Sequence, residues 1–284
     1  MQIKTPAKIT PLLQVLGRRE DGFHEVNIVL APISLYDELE FRTGRREGLS
    51  LTGQGCAPEG APEENLVHRA ALAFQEAAGV SLALEIVLNK TIPAGAGLGG
   101  GSGNAAGTLL ALNALHHHPL SPARLAALAL GLGSDVPFFL DPAPSLARGR
   151  GEILSPLAEF PELPLLVVKP PFPVSTGEAY RRLETFTKEP AKPSLRSAAE
   201  VVAALENQFE GPLSALHPQL AQAKARLLAA GAAGALLSGS GSAVFGIFEA
   251  AARRDAAAVE LAGQGEWAVY SCQTLRRHAY LPEP

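Results

Sequence analysis

Apolar and polar positions alternate along HEVNIVLAPISLYDELEFR (24–42), first around Val26, Ile28 and Leu30 and then around Leu35, Leu39 and Phe41. A period of two marks half-buried strands, and this stretch reads as strand, turn, strand. GLSLTG (48–53) adds a short strand, and LALEIVLNKTI (82–92) another with Ile86 and Leu88 facing one way. The period becomes helical in ENLVHRAALAFQEAAG (64–79), where Leu66, Ala70, Phe74 and Ala77 form a stripe, Asn65 suits the N-cap and Gly79 the stop. NAAGTLLALNALHHH (104–118) reads as a second helix and SPARLAALALGLG (121–133) as a third, with Ser121 as N-cap and Pro122 at the first helical position.

Beyond residue 150 the punctuation changes. GEILSPLAEFPELPLLVVKPPFPV (151–174) is rich in proline around a single strand, LLVVK, so a domain change is expected between Gly149 and Pro156, dividing the chain into 1–152 and 153–284. TGEAYRRLE (176–184) starts a helix, KEPAKPS (188–194) is a polar loop, and HPQLAQAKARLLAAG (217–231) is an amphipathic helix ending on glycine. AGALLSGSGSAVFGIF (233–248) reads as strand, Gly/Ser turn, strand, and AVYSCQTL (268–275) as a closing strand. Hairpin-like neighbours mixed with crossovers predict an α+β chain of two domains rather than a regular βαβ repeat.

Composition removes several classes. The 284 residues carry a net charge of −4, without the clustered basic face that nucleic acid requires. The basic patches GRR (17–19) and GRREG (44–48) sit in turn-like surroundings and read as solvated loops. Cys56 and Cys272 stand alone, so neither a disulfide framework nor a zinc site is expected. MQIKTPAKIT lacks the apolar segment of a secretory leader, and no apolar run is long enough to span a bilayer. A reducing, cytoplasmic setting is expected, with oligomeric state open.

One stretch is left unexplained by packing: PAGAGLGGGSGNAA (93–106). Glycine costs about 0.5–1 kcal/mol against alanine inside regular structure, so this run reads as a loop with a task. A Walker A loop would end in Gly-Lys-Ser/Thr, whereas here Gly101 is followed by Ser102, Gly103 and Asn104. The Rossmann spacing Gly95-x-Gly97-x-x-Gly100 is present, but no Asp or Glu stands between Asn104 and Ser134 to hold a ribose. A third mechanism fits: consecutive glycines let backbone N–H groups converge on phosphate, with the N-terminus of the next helix behind them. Ser102 would then donate to a phosphate oxygen or ligate Mg²⁺.

These residues resemble the central motif of the GHMP kinases. Two further segments fall in that family's order: TPAKITPLLQVLGRREDGFHEVNIVL (5–30) is similar to its N-terminal motif and LLSGSGSAVFGIF (236–248) to its C-terminal one. The extension GRREDGFHEV and the segment GLGSDVPFFL (131–140) resemble the members that phosphorylate the 2-hydroxyl of a methylerythritol unit in a cytidine diphosphate conjugate, for isoprenoid precursors. The resemblance implies an ATP-binding and catalytic N-terminal domain of the ribosomal protein S5 domain 2 type, a ferredoxin-like C-terminal domain, ATP with Mg²⁺, small-molecule partners only, and a site in the cleft.

Residue by residue, the resemblance implies that Asp135 directs the acceptor hydroxyl's proton and that Lys8 is the cation beside it. Locally, Asp135 also suits a helix cap and Lys8 a solvated surface position. Pro93, Ala94, Gly95, Ala96, Gly97, Leu98, Gly99, Gly100, Gly101, Ser102 and Gly103 correspond to the phosphate loop, and Asn65 and Lys90 to adenine-contacting positions that a cap and a surface lysine equally explain. Phe23 and His24 correspond to readers of the cytosine and Tyr180 to a second aromatic completing a sandwich; a core role is the alternative for both Phe23 and Tyr180. Gly239 and Gly241 would approach from the second domain or simply form a hairpin turn. Thr10 stands where the family has asparagine, keeping a hydroxyl near the acceptor but not an amide, and Gly103 where it has a second serine. His116, His117 and His118 suit a helix C-terminus rather than a metal, and no G-x-S-x-G elbow supports a hydrolase. A GHMP kinase for another alcohol, and a nucleotide-binding protein without turnover, stand as alternatives. DGFHEV speaks against the former, since a small acid needs no aromatic stack.

Overall fold

A computed structural model describes residues 1–43, 48–55, 62–265 and 267–280. Its backbone begins with a long antiparallel pair, β1 (Gln2–Arg18) and β2 (His24–Thr43). β1 shows no alternation because residues 5–15 are buried on both faces, and Pro6 and Pro11 argue against a central strand. Both prolines stand where the β1–β2 register shifts, between Pro6 and Ala7 and between Ile9 and Leu12, so the ladder loses no N–H that it needed. The strand–turn–strand expected over 24–42 is corrected by the same irregularity. Pro32 pairs with Lys8, and β2 runs on through it without reversing.

β3 (Gly48–Gly55), β4 (Ala83–Lys90), β2, β1 and a two-residue β8 (Glu206–Asn207) form the first sheet in that order, and the hairpin β5 (Ser145–Arg148) and β6 (Ile153–Pro156) attaches along β2. β3 and β4 are parallel, so a crossover must join them; helix α1 (Leu66–Ala78) supplies it, capped by Asn65 and ended by left-handed Gly79 as its sequence predicts. Helices α2 (Gly100–Leu115) and α3 (Pro122–Leu132) follow, and α2 packs on β1, β2, α1 and α3. α2 starts four residues before Asn104, inside the glycine run, which corrects the predicted boundary. A Cβ at Gly100 would lie 2.8 Å from Ile92 Cγ2 and one at Gly103 3.0 Å from the Pro6 carbonyl oxygen, so close packing, not a loop conformation, requires glycine in this first turn.

The second sheet has the order β11-β7-β10-β9, all antiparallel, from β7 (Pro164–Lys169), β9 (Gly234–Leu237), β10 (Val244–Ile247) and β11 (Ala268–Gln273). This is the ferredoxin-like order. Helices α4 (Thr176–Arg181), α5 (Ala198–Ala203), α6 (Glu210–Leu216) and α7 (Pro218–Ala229) lie between its first and second strands, and α8 (Ala251–Gly263) between its third and fourth. Residue 152 falls in the turn between β5 and β6, both of which belong to the first sheet.

One apolar cluster joins the sheets: Ala7 and Ile9 of β1, Ala96 and Leu98 of the glycine run, and Val167, Leu236 and Phe245 of the second sheet. The loop is therefore pinned into the seam by its own two apolar side chains. Cys272 is a buried free thiol, pushed up to about 12 by its burial; Cys56 and most of GRREG lie outside the described residues. His117 and His118 take positive φ just past α2, and His116 tilts against Phe74. Among the described residues no helix is long and apolar enough to cross a membrane.

Candidate active site

The glycine run leaves β4, crosses the seam and becomes the first turn of α2. Gly95, Gly97 and Gly99 have φ of 59°, 71° and 71°, a region closed to most side chains. At Gly97 space is excluded as well, because a Cβ would collide with the Ser238 carbonyl oxygen. The second sheet holds this backbone from the other side: Ser242 N–H donates to the Gly95 carbonyl (3.3 Å), Ala243 N–H to that of Ala96 (3.1 Å) and Ser238 Oγ to that of Gly97 (3.1 Å). With carbonyls bound behind the loop and the first-turn amides of α2 lacking intrahelical partners, the face toward the cleft is rich in N–H donors. A cavity of about 360 Å³ opens there, lined by residues 93–102 together with Asn65 and Lys90. Gly103 does not line it and faces Pro6 and Phe139, so the missing family serine lies on the buried side.

Asn65 Oδ1 caps α1 by accepting from Val67 N–H at 2.9 Å. Lys90 is not a surface residue: its side chain is 5% exposed and its ammonium pairs with Asp37, which is fully buried. Asp37 carries no motif signal in the sequence. The period of two places it inward, on the face of Leu35, Leu39 and Phe41, and only the fold shows what it pairs with there.

Lys8 and Asp135 meet at the same cavity. Lys8 lies in the irregular part of β1, where its N–H bonds the Leu98 carbonyl (2.9 Å) instead of the sheet, so the strand and the glycine loop are locked together at this residue. Its Nζ donates to Thr10 Oγ1 (3.0 Å) and stands 3.9 Å from Asp135 Oδ2. Burial holds the Lys8 ammonium below the ordinary lysine range, with the Asp135 charge pulling the other way. Asp135 is 43% exposed at its side chain and caps nothing: the short 3-10 turn after it (Pro137–Leu140) has Val136 in the capping place, without a side-chain bond. Phe139 of that turn packs beneath Gly99, where a Cβ would sit 2.7 Å from its ring, and so fixes Asp135 relative to the loop. Gly239 approaches from the second sheet, its Cβ position 3.0 Å from Lys8 Nζ. Gly241 does not line the cavity and serves the turn, with φ of 81°.

The aromatic residues divide differently from expectation. His24 stacks on Tyr180 (4.4 Å, 19°), with Phe186 tilted beside it and Tyr180 edge-on to Phe209. Tyr180 and Phe209 line the cavity. Phe23 is 47% exposed with the Arg150 guanidinium 4.2 Å above its ring; it is not core, and it is not paired with Tyr180. Phe186 and Arg150 were not legible as site neighbours, since both come from loops whose path the sequence does not specify. Burial, helped by the Asp135 charge, pushes the Tyr180 phenol up to about 12, while burial and the nearby Arg18 lower His24.

Amides facing a cavity, with an ammonium and a carboxylate at its mouth, are the arrangement that phosphoryl transfer to a small molecule needs, and the comparisons with known proteins put the molecule in the class of small-molecule phosphotransferases. The sequence matches the GHMP kinases N terminal domain over residues 65–141 and the GHMP kinases C terminal domain over 191–265. It is 47% identical over 250 residues to a 4-diphosphocytidyl-2-C-methyl-D-erythritol kinase of Pelotomaculum thermopropionicum, covering 85% of this chain and 86% of that one. It is 41% identical over 280 residues to the enzyme of the same name from Syntrophus aciditrophicus, covering 97% and 99%. A crystal structure of a 4-(cytidine 5'-diphospho)-2C-methyl-D-erythritol kinase superposes with a TM-score of 0.82 at 40% identity, over 96% of this chain and 99% of that one. The chain belongs to the GHMP kinases and, within them, to the 4-diphosphocytidyl-2-C-methyl-D-erythritol kinases.

Proposed function

We propose that the protein transfers the γ-phosphoryl group of ATP to the 2-hydroxyl of 4-diphosphocytidyl-2-C-methyl-D-erythritol. The observation that carries this reading is the Lys8–Asp135 pair, 3.9 Å apart at the mouth of a glycine loop that opens a helix. Phosphoryl transfer goes through a loose transition state, so positioning and charge stabilisation dominate. Residues 95–102 present N–H groups to the phosphates. Lys8 holds its charge beside the transferring group, and Thr10 takes the place of the family's asparagine by fixing the Lys8 ammonium through its hydroxyl. The substrate oxygen attacks the γ-phosphorus as the bond to the ADP oxygen breaks, and its proton passes to Asp135. A carboxylate of pKa about 3.9 is a weak base for an alcohol, so that transfer belongs late, once the new P–O bond has acidified the hydroxyl.

Magnesium fits the donor set. The Ser102 hydroxyl, which lines the cavity, would hold a cation together with phosphate oxygens and water, leaving Asp135 for the proton. When bound, the ion neutralises charge on the phosphates. His24 and Tyr180 form the cytosine-reading surface, with Phe23 at its rim. An assay of ATP consumption with the cytidine conjugate, with mevalonate and with homoserine tests the reading: turnover confined to the conjugate is expected. Turnover on mevalonate or homoserine instead would assign another acceptor, and turnover on none of them would leave a nucleotide-binding protein.

A further inference from the structure

We infer that Asp37 is a positioning residue for phosphate binding, the single carboxylate from which both ends of the glycine loop hang. The inference rests on reading residues 93–103 as the nucleotide-phosphate site. Asp37 lies in β2, fully buried. Its Oδ1 accepts from the backbone N–H groups of Thr91 (2.7 Å) and Ile92 (2.8 Å), the two residues immediately before the loop begins at Pro93. Its Oδ2 accepts from Asn104 Nδ2 (3.0 Å), in the second turn of the helix into which the loop runs, and pairs with the Lys90 ammonium. Asn104 is held in turn by Thr5 of β1 through a 2.5 Å bond, so the anchor reaches the strand that carries Lys8.

The chemistry at this point demands an ionised carboxylate. Four donors converge on two oxygens, and only a carboxylate accepts from all four without turning a donor of its own toward them. An asparagine here would direct an NH₂ at Lys90 Nζ and Asn104 Nδ2. The charge matters as well as the shape. Lys90 Nζ lies 3.1 Å from where a Cβ on Gly100 would stand, directly under the first turn of α2. Asp37 thus holds a cation beneath the phosphate-binding amides and balances it in a place where an unpaired ammonium would be costly. Loop start, helix start and buried cation share one hub that touches no substrate.

The test is a comparison of wild type with Asp37→Asn, reading KM for ATP, KM for the alcohol substrate and kcat, together with nucleotide affinity by displacement of a fluorescent ATP analogue. Asp37→Asn is expected to raise KM for ATP and weaken nucleotide binding by about tenfold or more, the scale of one strong hydrogen bond to a charged group, with KM for the alcohol within about twofold. Folded Asp37→Asn protein with both KM values unchanged would reduce Asp37 to a structural residue and overturn the inference. Asn104→Ala covers the case in which Asp37→Asn does not fold, because it leaves the Asp37–Lys90 pair intact and cuts the ties of α2 to Asp37 and to Thr5. Its expected effect is a rise in KM for ATP alone of roughly fivefold or more, the scale of a neutral bond to Thr5 and one to a charged acceptor, and no rise overturns the inference. Wild-type protein that turns over while the variants behave like it sinks the inference only. Wild-type protein that binds no nucleotide sinks the functional reading, and the inference with it.

Discussion

The two ends of the cleft are built from different materials. At the end proposed to take the phosphates the groups offered are backbone amides, their geometry fixed by positive-φ glycines, by Ala96 and Leu98 plugged into the inter-sheet core, and by hydrogen bonds from Ser238, Ser242 and Ala243. At the proposed acceptor end they are side chains: a 43% exposed Asp135 and the ring of Tyr180, both lining the cavity, with His24 stacked on Tyr180. A triphosphate is the same in every kinase, so a rigid backbone cradle suffices for it. An acceptor must be discriminated, and side chains supply that. Variants at the acceptor end should therefore damage transfer or acceptor affinity while leaving nucleotide binding intact.

The largest effect should come from Asp135→Asn. Loss of a positioned acid or base costs roughly 10²–10⁴ in turnover, and because Asp135 is not part of the loop's hydrogen bonding, affinity for a fluorescent ATP analogue should stay within about twofold in the absence of Mg²⁺. Near-normal turnover would remove Asp135 from the chemistry. Lost nucleotide affinity under those conditions would mean that the two ends of the cleft are not separable.

This division also explains what the sequence makes legible. Backbone-built sites need glycine, and glycine is visible: the run at 93–103, the Ser238–Ser242 turn and the caps of α1 and α3 can all be read without a fold. The role of the carboxylate that anchors the run could not, because the alternation of LYDELEF puts Asp37 on the inward face with Leu35, Leu39 and Phe41 but does not show that Lys90, residues 91–92 and Asn104 converge on it. β1 escaped for the opposite reason, being buried on both faces and interrupted by two prolines. For the aromatic cluster, the family resemblance pointed to Phe23, His24 and Tyr180 but not to their pairing. His24 rather than Phe23 meets Tyr180 because β2 begins at His24, placing it on the sheet while Phe23 remains in the turn. Lys8 and Asp135 were assigned through family resemblance, and the physical reason for their meeting is the β1 irregularity that hands the Lys8 N–H to Leu98.

A pH profile sharpens the comparison at its midpoint, where Lys8 serves both ends. Burial lowers the Lys8 pKa from its ordinary 10.5, and a lysine acting as a cation fails once it loses its proton. As pH rises, kcat/KM, which reports the free enzyme, should begin to fall below pH 10.5, approaching about tenfold per unit. Stability should move the other way. Between the lowered folded value and 10.5 the unfolded chain binds more protons than the folded one, so the contribution of Lys8 to folding becomes more favourable as pH rises through that window. Tyr180 does not confuse the reading, since its phenol is pushed up to about 12. An alkaline limb that begins only above 10.5, or activity loss that tracks unfolding, would sink this assignment.

The smallest effects separate the two aromatics within the acceptor end. Tyr180 lines the cavity and stacks on His24, so Tyr180→Ala removes a platform of the kind worth about 1–3 kcal/mol per stacked base, or roughly 5–150-fold in affinity. Phe23 stands outside, half exposed under Arg150. An exposed cation–π contact is worth about 0.5–1 kcal/mol, so Phe23→Ala should raise KM for the cytidine substrate by about two- to fivefold through the loosened rim alone. Both variants should leave KM for ATP unchanged, because the ring partners of Tyr180 are His24 and Phe209 and the cation over Phe23 is Arg150, none of them in the glycine run. Steady-state KM values for the two substrates decide the matter. A Phe23 effect equal to or above that of Tyr180 would mean that the turn at 19–23 folds inward over the base and that Phe23, not the His24–Tyr180 pair, is the principal reader. Equal losses toward ATP would show that the acceptor end and the phosphate cradle move as one body.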